Sequence, residues 1–399
     1  MKLKKDDIYL FSALYLNWGM IYGIISGISI ILFDQEKEWL ILFNKGVLIL
    51  FLAAAFLLIL KRRRGFIAIM AGCVWGGLFC LTLLITPEIF KLFRKTIFYT
   101  MYDVIIPIFL VSELEDYDKL EKSFIPFIYI GIIYSVIQWK VFAITKQYSM
   151  EYSYLTIMVA ILSLILGIYK KKKRFLIIAA CLFSINLVCG SRGSLICYMI
   201  AIIFIFVIFV DFRKSITRVT LMTVSIPFAF NILPSVMSWL SVYFPKSRAI
   251  SLLAEGKFFY LAGREKYYSF VLEQIRNAPM KIRGIYSDRI YIGEYFHRTD
   301  PAEIYGSYSH NFFLEILFQF GMWGILLLIG YGIAVIYTIR KVKKDGSISM
   351  KTMYIVFASY AMGQLLFSGS YLTSMAFGIF TGLLFSICLN RSHNCIHKS

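Results

Sequence analysis

Two short polar segments, each placed before an apolar run, carry the side chains best suited to chemistry. Ser191 and Arg192 precede one such run, and His310 and Asn311 precede the run 312–338. An arginine binds anions such as phosphate through its planar fork of donors, and a histidine can exchange a proton near neutral pH. Polar groups at membrane depth are costly and tend to mark function. If both segments lie on one side of a membrane, they can contribute to one site.

The elements that must position these residues are membrane helices. Hydrophobic residues make up 59% of the 399 residues and charged residues 16%, with a mean hydropathy of +0.73. A soluble protein has about 25% charged residues. Runs near the length that crosses a bilayer recur, and a lipid-facing backbone must bond internally. The sequence therefore predicts an all-α polytopic membrane protein with about twelve spans: 8–33, 39–60, 66–86, 97–112, 124–144, 153–169, 175–190, 194–210, 216–233, 312–338, 351–368 and 371–389.

Lysine and arginine predict how these spans are oriented. If the N-terminus is inside, more than half of the 42 lysines and arginines lie at inner ends of spans, as the positive-inside rule requires. The weakest span, 97–112, is needed because omitting it would move the basic cluster 170–174 outside. Both termini are then cytoplasmic and the loop 234–311 is extracytoplasmic. The net charge of +19 reflects this topology, and no basic stripe indicates nucleic-acid binding.

The simplest partition is one integral membrane domain with one large insertion. Residues 1–233 contain the first nine spans, residues 234–311 form the loop, and residues 312–399 contain the last three spans and a short cytoplasmic tail. Within the loop, apolar residues at helical spacing in Glu265–Asn277 predict an amphipathic helix lying on the membrane surface. Cysteine and histidine spacing indicates no metal site, and the sequence predicts no cofactor.

Three blocks, in this order, resemble the superfamily of O-antigen ligases and O-antigen or capsule polymerases, which are bacterial membrane glycosyltransferases. The first block is Gly190–Leu195. The second is Gly263–Tyr267, followed by Asn277–Pro279 and Gly284. The third contains His310 and Asn311, followed by Leu314, Gly321 and Gly324. Together they cover residues 190–324, and the remaining spans are similar only as apolar helices.

The resemblance implies a metal-independent glycosyltransferase on the outer face of the bacterial cytoplasmic membrane. Its donor would be an undecaprenyl-diphosphate-linked oligosaccharide, and its other partners would be membrane lipids, a chain-length regulator and a flippase. We favour a polymerase that joins lipid-linked repeat units into surface polysaccharide. A ligase that transfers the finished glycan to a lipid A core shares the same motifs. A third hypothesis is a transporter or flippase of lipid-linked sugars. Many transporters contain duplicated or inverted halves, and the sequence shows none.

The resemblance, together with phosphate chemistry, assigns roles to individual residues. Departure of a diphosphate from a sugar concentrates negative charge that arginines can neutralise. A helix N-terminus disfavours imidazolium, so the histidine should stay neutral and take a proton from the acceptor hydroxyl. The predicted catalytic residues are Arg192, Arg264 and His310, and the predicted substrate-binding residues are Ser191, Arg283, Arg289 and Asn311.

The same residues have plainer interpretations. Arg192 could extend to the lipid headgroups, and Arg264 could be a surface cation near lipid phosphate. The pair at 310 and 311 could serve only to cap the following helix. Glu265 and Glu303 are alternative bases, although each is also expected as a solvated loop carboxylate.

Overall fold

A computed structural model describes residues 7–145, 149–210, 232–257 and 263–389, and these residues form helices and short connections without strands. The long helices follow the apolar runs because a backbone in lipid must satisfy its hydrogen bonds internally. The α-helices are α1 (Asp7–Phe33), α2 (Glu38–Lys61), α3 (Gly65–Ile85), α4 (Phe93–Tyr99), α5 (Ile106–Ser112), α6 (Tyr117–Thr145), α7 (Met150–Tyr169), α8 (Lys173–Cys189), α9 (Arg192–Phe209), α10 (Ile232–Tyr243), α11 (Arg248–Ala254), α12 (Glu265–Asn277), α13 (Ser287–Tyr295), α14 (Pro301–Tyr305), α15 (Phe312–Phe320), α16 (Gly324–Asp345), α17 (Ile348–Phe367) and α18 (Met375–Leu389).

Eight helical segments among the described residues are long and apolar enough to cross a membrane. These are α1, α2, α3, Pro87–Ser112, α6, α7, α9 and Phe312–Asp345. Predicted spans outside this set fall on α8, α17 and α18, of which α8 and α18 contain only 17 and 15 residues. The predicted span 216–233 lies almost wholly outside the described residues. The all-helical membrane class is confirmed, and the number of twelve spans stays a prediction.

The helix expected over 312–338 is not continuous. α15 ends at Phe320, a 3-10 turn occupies Gly321–Trp323, and α16 begins at Gly324. Gly321 has φ 59° and ψ −151°, a conformation that is essentially restricted to glycine. A Cβ at Gly321 would lie 2.6 Å from the carbonyl oxygen of Pro279. The helix breaks because the backbone after α12 packs directly against this point.

The described residues divide between two compact units, each of which is treated by itself. The first contains the described residues of Met1–Val47, Asp116–Tyr260 and Val342–Gly363. In this unit, Tyr9 Oη accepts a hydrogen bond from Asp116 N–H at 2.9 Å, and Lys170 forms an ion pair with Glu121. The hydroxyl of Ser349 lies 3.5 Å from the Lys170 ammonium. These contacts join helix ends that the charge distribution predicts to lie on the inner side.

The second unit contains the described residues of Leu48–Glu115, Leu261–Lys341 and Gln364–Ser399. Arg64, after α2, donates to the Ser112 carbonyl oxygen at 2.6 Å and lies 3.3 Å from Glu115. The connection after α2 and the connection after α5 therefore lie at the same end, as expected if Pro87–Ser112 crosses the membrane. Which end faces the cytoplasm stays a prediction.

The predicted amphipathic helix is confirmed at its predicted bounds as α12. Its apolar face, however, packs against protein as well as facing outward. Phe270 and Val271 are buried against Ile292 of α13 and Phe318 of α15, whereas Leu272 is exposed. α12 is therefore fixed to α13 and α15, which carry further predicted site residues. The extracytoplasmic position of 234–311 stays a prediction, and the described part of this stretch is built from α10 to α14.

Candidate functional site

The C-terminal end of α17 gathers three polar side chains in the second unit. Asn311 Nδ2 donates to the Leu366 carbonyl oxygen at 3.3 Å, and the Arg264 guanidinium donates to the Phe367 carbonyl oxygen. Nδ1 of His310 lies 3.5 Å from the Ser368 carbonyl oxygen, which accepts from it. The last carbonyls of a helix have no partner within the helix and lie at its negative pole. This helix end therefore suits a cation such as Arg264. Residues from two separate sequence blocks meet here.

His310 is held by a loop in an uncommon backbone conformation. Its φ is 51°, in the left-handed region. Its ring centroid lies 4.0 Å from that of Tyr308 and 5.8 Å from that of Tyr267. Tyr308 Oη also donates to the Ser368 carbonyl oxygen at 2.6 Å. Such backbone conformations persist where the surroundings over-determine them, and they cluster at functional sites.

The surroundings of His310 keep its imidazole neutral. Burial and, to a smaller extent, the nearby Arg264 cation lower the pKa of His310 to about 3. The sequence predicted a neutral ring from the helix N-terminus, whereas burial is the main cause in the structure. Because the Ser368 carbonyl can only accept, the facing Nδ1 carries the proton. The second nitrogen, Nε2, is then left with a free lone pair.

Asn311 caps α15. Its Oδ1 accepts from the N–H groups of Phe313 at 3.0 Å and Leu314 at 3.2 Å, and its amide nitrogen donates to Leu366. Both ends of the side chain are thus engaged within the protein. The capping interpretation is confirmed for Asn311, and its predicted contact with substrate stays untested.

A fully buried ion network lies directly behind this corner. Nη1 of Arg289 is 3.4 Å from Asp288 Oδ1 and 3.4 Å from Glu315 Oε1. Nη2 of Arg289 donates to Ser370 Oγ at 3.0 Å, and Gln319 Nε2 donates to Asp288 Oδ1 at 2.9 Å. None of the three charged side chains is exposed. Arg289 lies in the interior with two carboxylates, and its predicted contact with substrate stays a prediction.

Arg289 remains a cation in this setting. Burial alone would lower the pKa of Arg289, but the carboxylates of Asp288 and Glu315 outweigh burial and raise it. The guanidinium carbon also lies 4.6 Å from the ring centroid of Tyr286 and 5.1 Å from that of Tyr308. Aromatic faces add to the stabilisation of the buried charge.

Arg283, the other predicted loop arginine, joins the ends of two helices. Its side chain is 1% exposed. It donates to the carbonyl oxygens of Gln274 in α12 at 2.6 Å and Phe318 in α15 at 3.2 Å, and its guanidinium carbon lies 4.8 Å from the Phe318 ring centroid. The structure thus gives Arg283 a packing role, and a contact with substrate stays a prediction.

The Ser191–Arg192 corner belongs to the first unit. α9 begins at Arg192 with Ser191 as its N-cap residue. The Ser191 backbone N–H donates to Ser153 Oγ at 2.8 Å, and Arg192 Nη1 donates to the Lys257 carbonyl oxygen at 3.0 Å. A Cβ on Gly193 would lie 2.2 Å from Tyr154 Oη, so only glycine allows this approach. Arg192 is partly exposed at the start of a helix, as the sequence predicted.

Sequence reasoning missed the buried carboxylates. Glu315 left a readable signal, because it is a charge inside the apolar run 312–338, and such charges tend to be functional. Asp288 left no such signal, because it belongs to the polar stretch 234–311, in which a carboxylate is not unusual. Ser370, whose hydroxyl donates to Glu315, is one of several serines near a helix end and was equally unmarked.

Comparisons with known proteins address the family. No curated protein and no solved structure matches the chain. A family model, described as O-antigen ligase, matches residues 178–329. That stretch runs from α8 into α16 and contains every predicted site residue. The match confirms that this chain resembles the superfamily of O-antigen ligases and polymerases in the region that contains the predicted site residues.

Proposed function

We propose that this protein is a membrane glycosyltransferase that moves a glycan from a polyprenyl diphosphate to a hydroxyl group of an acceptor. The supporting observation is the convergence of Arg264 and His310 on one end of α17. A cation beside a neutral histidine matches what the reaction needs, namely a group to stabilise a leaving diphosphate and a group to accept a proton.

In the proposed reaction, the acceptor hydroxyl oxygen attacks the anomeric carbon of the donor sugar. The bond between that carbon and the diphosphate oxygen breaks, and its electron pair leaves with the polyprenyl diphosphate. Arg264 stabilises the negative charge that this departure adds. The hydroxyl proton passes to Nε2 of His310, because Nδ1 faces the Ser368 carbonyl. General-base catalysis of this kind contributes ~10²–10⁴-fold to a rate.

The electrostatics of His310 imply that the donor assists its own transfer. A base with a pKa of about 3 is too weak to work well near neutral pH. Part of this weakness comes from the positive charge of Arg264. A bound diphosphate offsets that charge and brings negative charge near the ring, which raises the pKa of His310. We therefore expect His310 to become an effective base only when the anionic donor is present.

The acceptor distinguishes two versions of this function. In a polymerase it is another lipid-linked repeat unit, which yields O-antigen or capsule, and we favour this version because polymerases are the more sequence-diverse group. In a ligase the acceptor is a lipid A core or a similar carrier. The match to a family model described as O-antigen ligase is equally compatible with this second candidate. Both versions would act on the outer face of the bacterial cytoplasmic membrane.

Transfer by purified protein in proteoliposomes tests the proposed chemistry. With a polyprenyl-diphosphate-linked oligosaccharide as the donor, His310→Ala should lower kcat by ~10²–10⁴-fold. His297→Ala is a matched control, because His297 also has a left-handed backbone (φ 53°) but is exposed in the same unit. Full activity of a correctly inserted His310→Ala protein would remove His310 from the mechanism.

The glycans of cells that lack the protein separate the two versions. Loss of a polymerase leaves single repeat units on the final carrier, whereas loss of a ligase leaves long chains on the polyprenyl lipid. We expect single units. Long lipid-linked chains would assign the protein as a ligase.

A further inference from the structure

The buried carboxylates contact the two backbone segments that hold His310. Asp288 Oδ2 accepts from the backbone N–H of Ser309 at 3.3 Å, immediately before His310. Glu315 Oε2 accepts from the backbone N–H of Tyr371 at 3.3 Å. Tyr371 stands three residues after Ser368, whose carbonyl faces the His310 ring. One carboxylate therefore holds the segment that carries the ring, and the other holds the segment that orients it.

Arg289 and Ser370 join these two attachments. The guanidinium of Arg289 lies 3.4 Å from both carboxylates and donates to Ser370 Oγ at 3.0 Å. The Ser370 hydroxyl in turn donates to Glu315. The segment before His310 and the segment after α17 are thus connected through one buried cation and one hydroxyl.

We propose that Asp288, Arg289, Glu315 and Ser370 are positioning residues for His310, and this inference rests on the proposed function of His310 as the base. They fix the Ser368 carbonyl opposite Nδ1, which keeps the proton on that nitrogen and leaves Nε2 as the basic nitrogen. They have no exposed surface at which to bind a glycan. Their effect on transfer therefore passes through the ring that they hold.

Stability alone is a weak explanation for such a network. Removing charges from water is costly, and buried ion pairs can often be replaced by apolar side chains without loss of stability. A buried network of hydrogen bonds and ion pairs does, however, fix a specific geometry. The neighbouring left-handed backbone at His310 needs that kind of support, because it is intrinsically unfavourable outside glycine.

Removal of one hydroxyl tests the inference in proteoliposomes. Ser370→Ala should lower kcat by about tenfold, as expected for the loss of a hydrogen bond to a charged group, with little change in KM. In a His310→Ala background, the same change should have no further effect, because the base that it positions is gone. A tenfold loss in both backgrounds would overturn the inference.

Two variants guard against a simple folding defect. Ser374→Ala removes a buried hydroxyl from the same connection, which donates to Gln364 rather than to the ion network, and it should leave kcat unchanged. Glu315→Gln keeps the size of the side chain but removes its charge, and it should repeat the Ser370→Ala pattern. Equal losses of kcat in Ser374→Ala and Ser370→Ala would contradict a specific positioning role.

A readout that does not depend on transfer separates this inference from the proposed function. Diethylpyrocarbonate acylates neutral imidazole, and peptide mass spectrometry can compare His310 with the exposed His297 in the same molecule. Ser370→Ala should raise the modification of His310 relative to His297 severalfold, because the ring is less confined. An unchanged ratio would overturn the positioning role. A changed ratio together with full transfer by His310→Ala would support positioning and overturn the proposed function.

Discussion

The arginine corners of the two units are built in different ways. Around Arg192, neutral groups make close contacts: Asn186 donates to the Ser153 carbonyl oxygen and to Ser194 Oγ, both at 3.1 Å, and Gly193 allows Tyr154 to approach α9 closely. Around Arg264 and His310, the support is a buried network of charged groups. If Arg192 binds phosphate as predicted, the first corner needs only to present a cation, and close packing is enough for that.

In the proposed reaction, the second corner also has to control the protons of an imidazole. Packing can place a ring, but only hydrogen-bonding groups can select which of its nitrogens carries the proton. The two corners should therefore be sensitive to different kinds of substitution. We expect the Arg192 corner to be sensitive to added volume and the Arg264 corner to be sensitive to lost polar contacts.

Of the two arginines compared, Arg264 has the larger expected effect. Arg264→Ala should lower kcat for transfer by ~10²–10³-fold, because it removes the charge that stabilises the departing diphosphate. Arg276→Ala, an exposed change in the last turn of the same helix α12, should leave transfer near the wild-type rate. Kinetics in proteoliposomes measure both. Wild-type rates for Arg264→Ala would reduce Arg264 to a surface cation.

A smaller effect is expected at Arg192, where charge can be kept while geometry is lost. Arg192→Lys should slow transfer by about 10- to 100-fold, since an ammonium cannot form the bidentate contact with phosphate oxygens. Arg248→Lys in α11, an exposed position in the same unit, serves as the control. If Arg192→Lys transfers glycan as fast as wild type, Arg192 acts as a point charge or a membrane anchor.

The packing of the first corner can be tested with one methyl group. Gly193→Ala should destabilise the protein by about 1–3 kcal/mol, because the new Cβ would overlap the Tyr154 hydroxyl. Tyr154→Phe removes that hydroxyl and should restore much of the loss. Gly332→Ala, at a position with open space around it, should change the thermal unfolding temperature little. A failure of Tyr154→Phe to rescue Gly193→Ala would show that the clash is not the cause.

The smallest expected effect is the response of the free protein to pH. Because burial and the nearby Arg264 cation lower the pKa of His310 to about 3, the profile of kcat/KM should show no inflection from His310 near pH 6.5. The unfolded chain, with an ordinary histidine pKa of about 6.5, binds more protons than the folded chain between these two values. The stability contributed by neutral His310 is therefore complete above pH 6.5 and falls as the pH falls below it. His310→Gln should weaken this acid sensitivity in thermal unfolding, and an unchanged pH dependence would contradict the buried neutral ring.

Much of the fold could be predicted because apolar runs in lipid have few alternatives to helix. α12 was predicted at its observed bounds because its apolar residues recur at helical spacing. The break at Gly321 could not be foreseen with the same ease, since Met322 and Trp323 continue the apolar pattern. What breaks the helix is contact with Pro279, more than forty residues earlier in the chain. That contact is a property of packing that no local pattern records.

The candidate site divides in the same way. Arg264 and His310 could be selected from their residue types and positions at helix starts, and the structure brings them to one helix end. Arg283 and Arg289 were chosen by type alone, and the structure buries both. A sequence shows that an arginine is present but does not show whether its guanidinium already binds carboxylates or backbone carbonyls of the same protein. Only the spatial partners, such as Glu315 and Gln274, make that distinction.

The use of main-chain carbonyls at 366–368 has a consequence for mutational tolerance. Arg264, His310 and Asn311 contact atoms that every residue possesses, so Leu366 and Phe367 can change to other apolar residues without losing these contacts. A saturation-mutagenesis scan would then show that residues 366 and 367 tolerate substitution, whereas Arg264, His310 and Asn311 do not. Such a scan would show little effect at residues 366 and 367, although their main-chain carbonyl groups are required for these contacts.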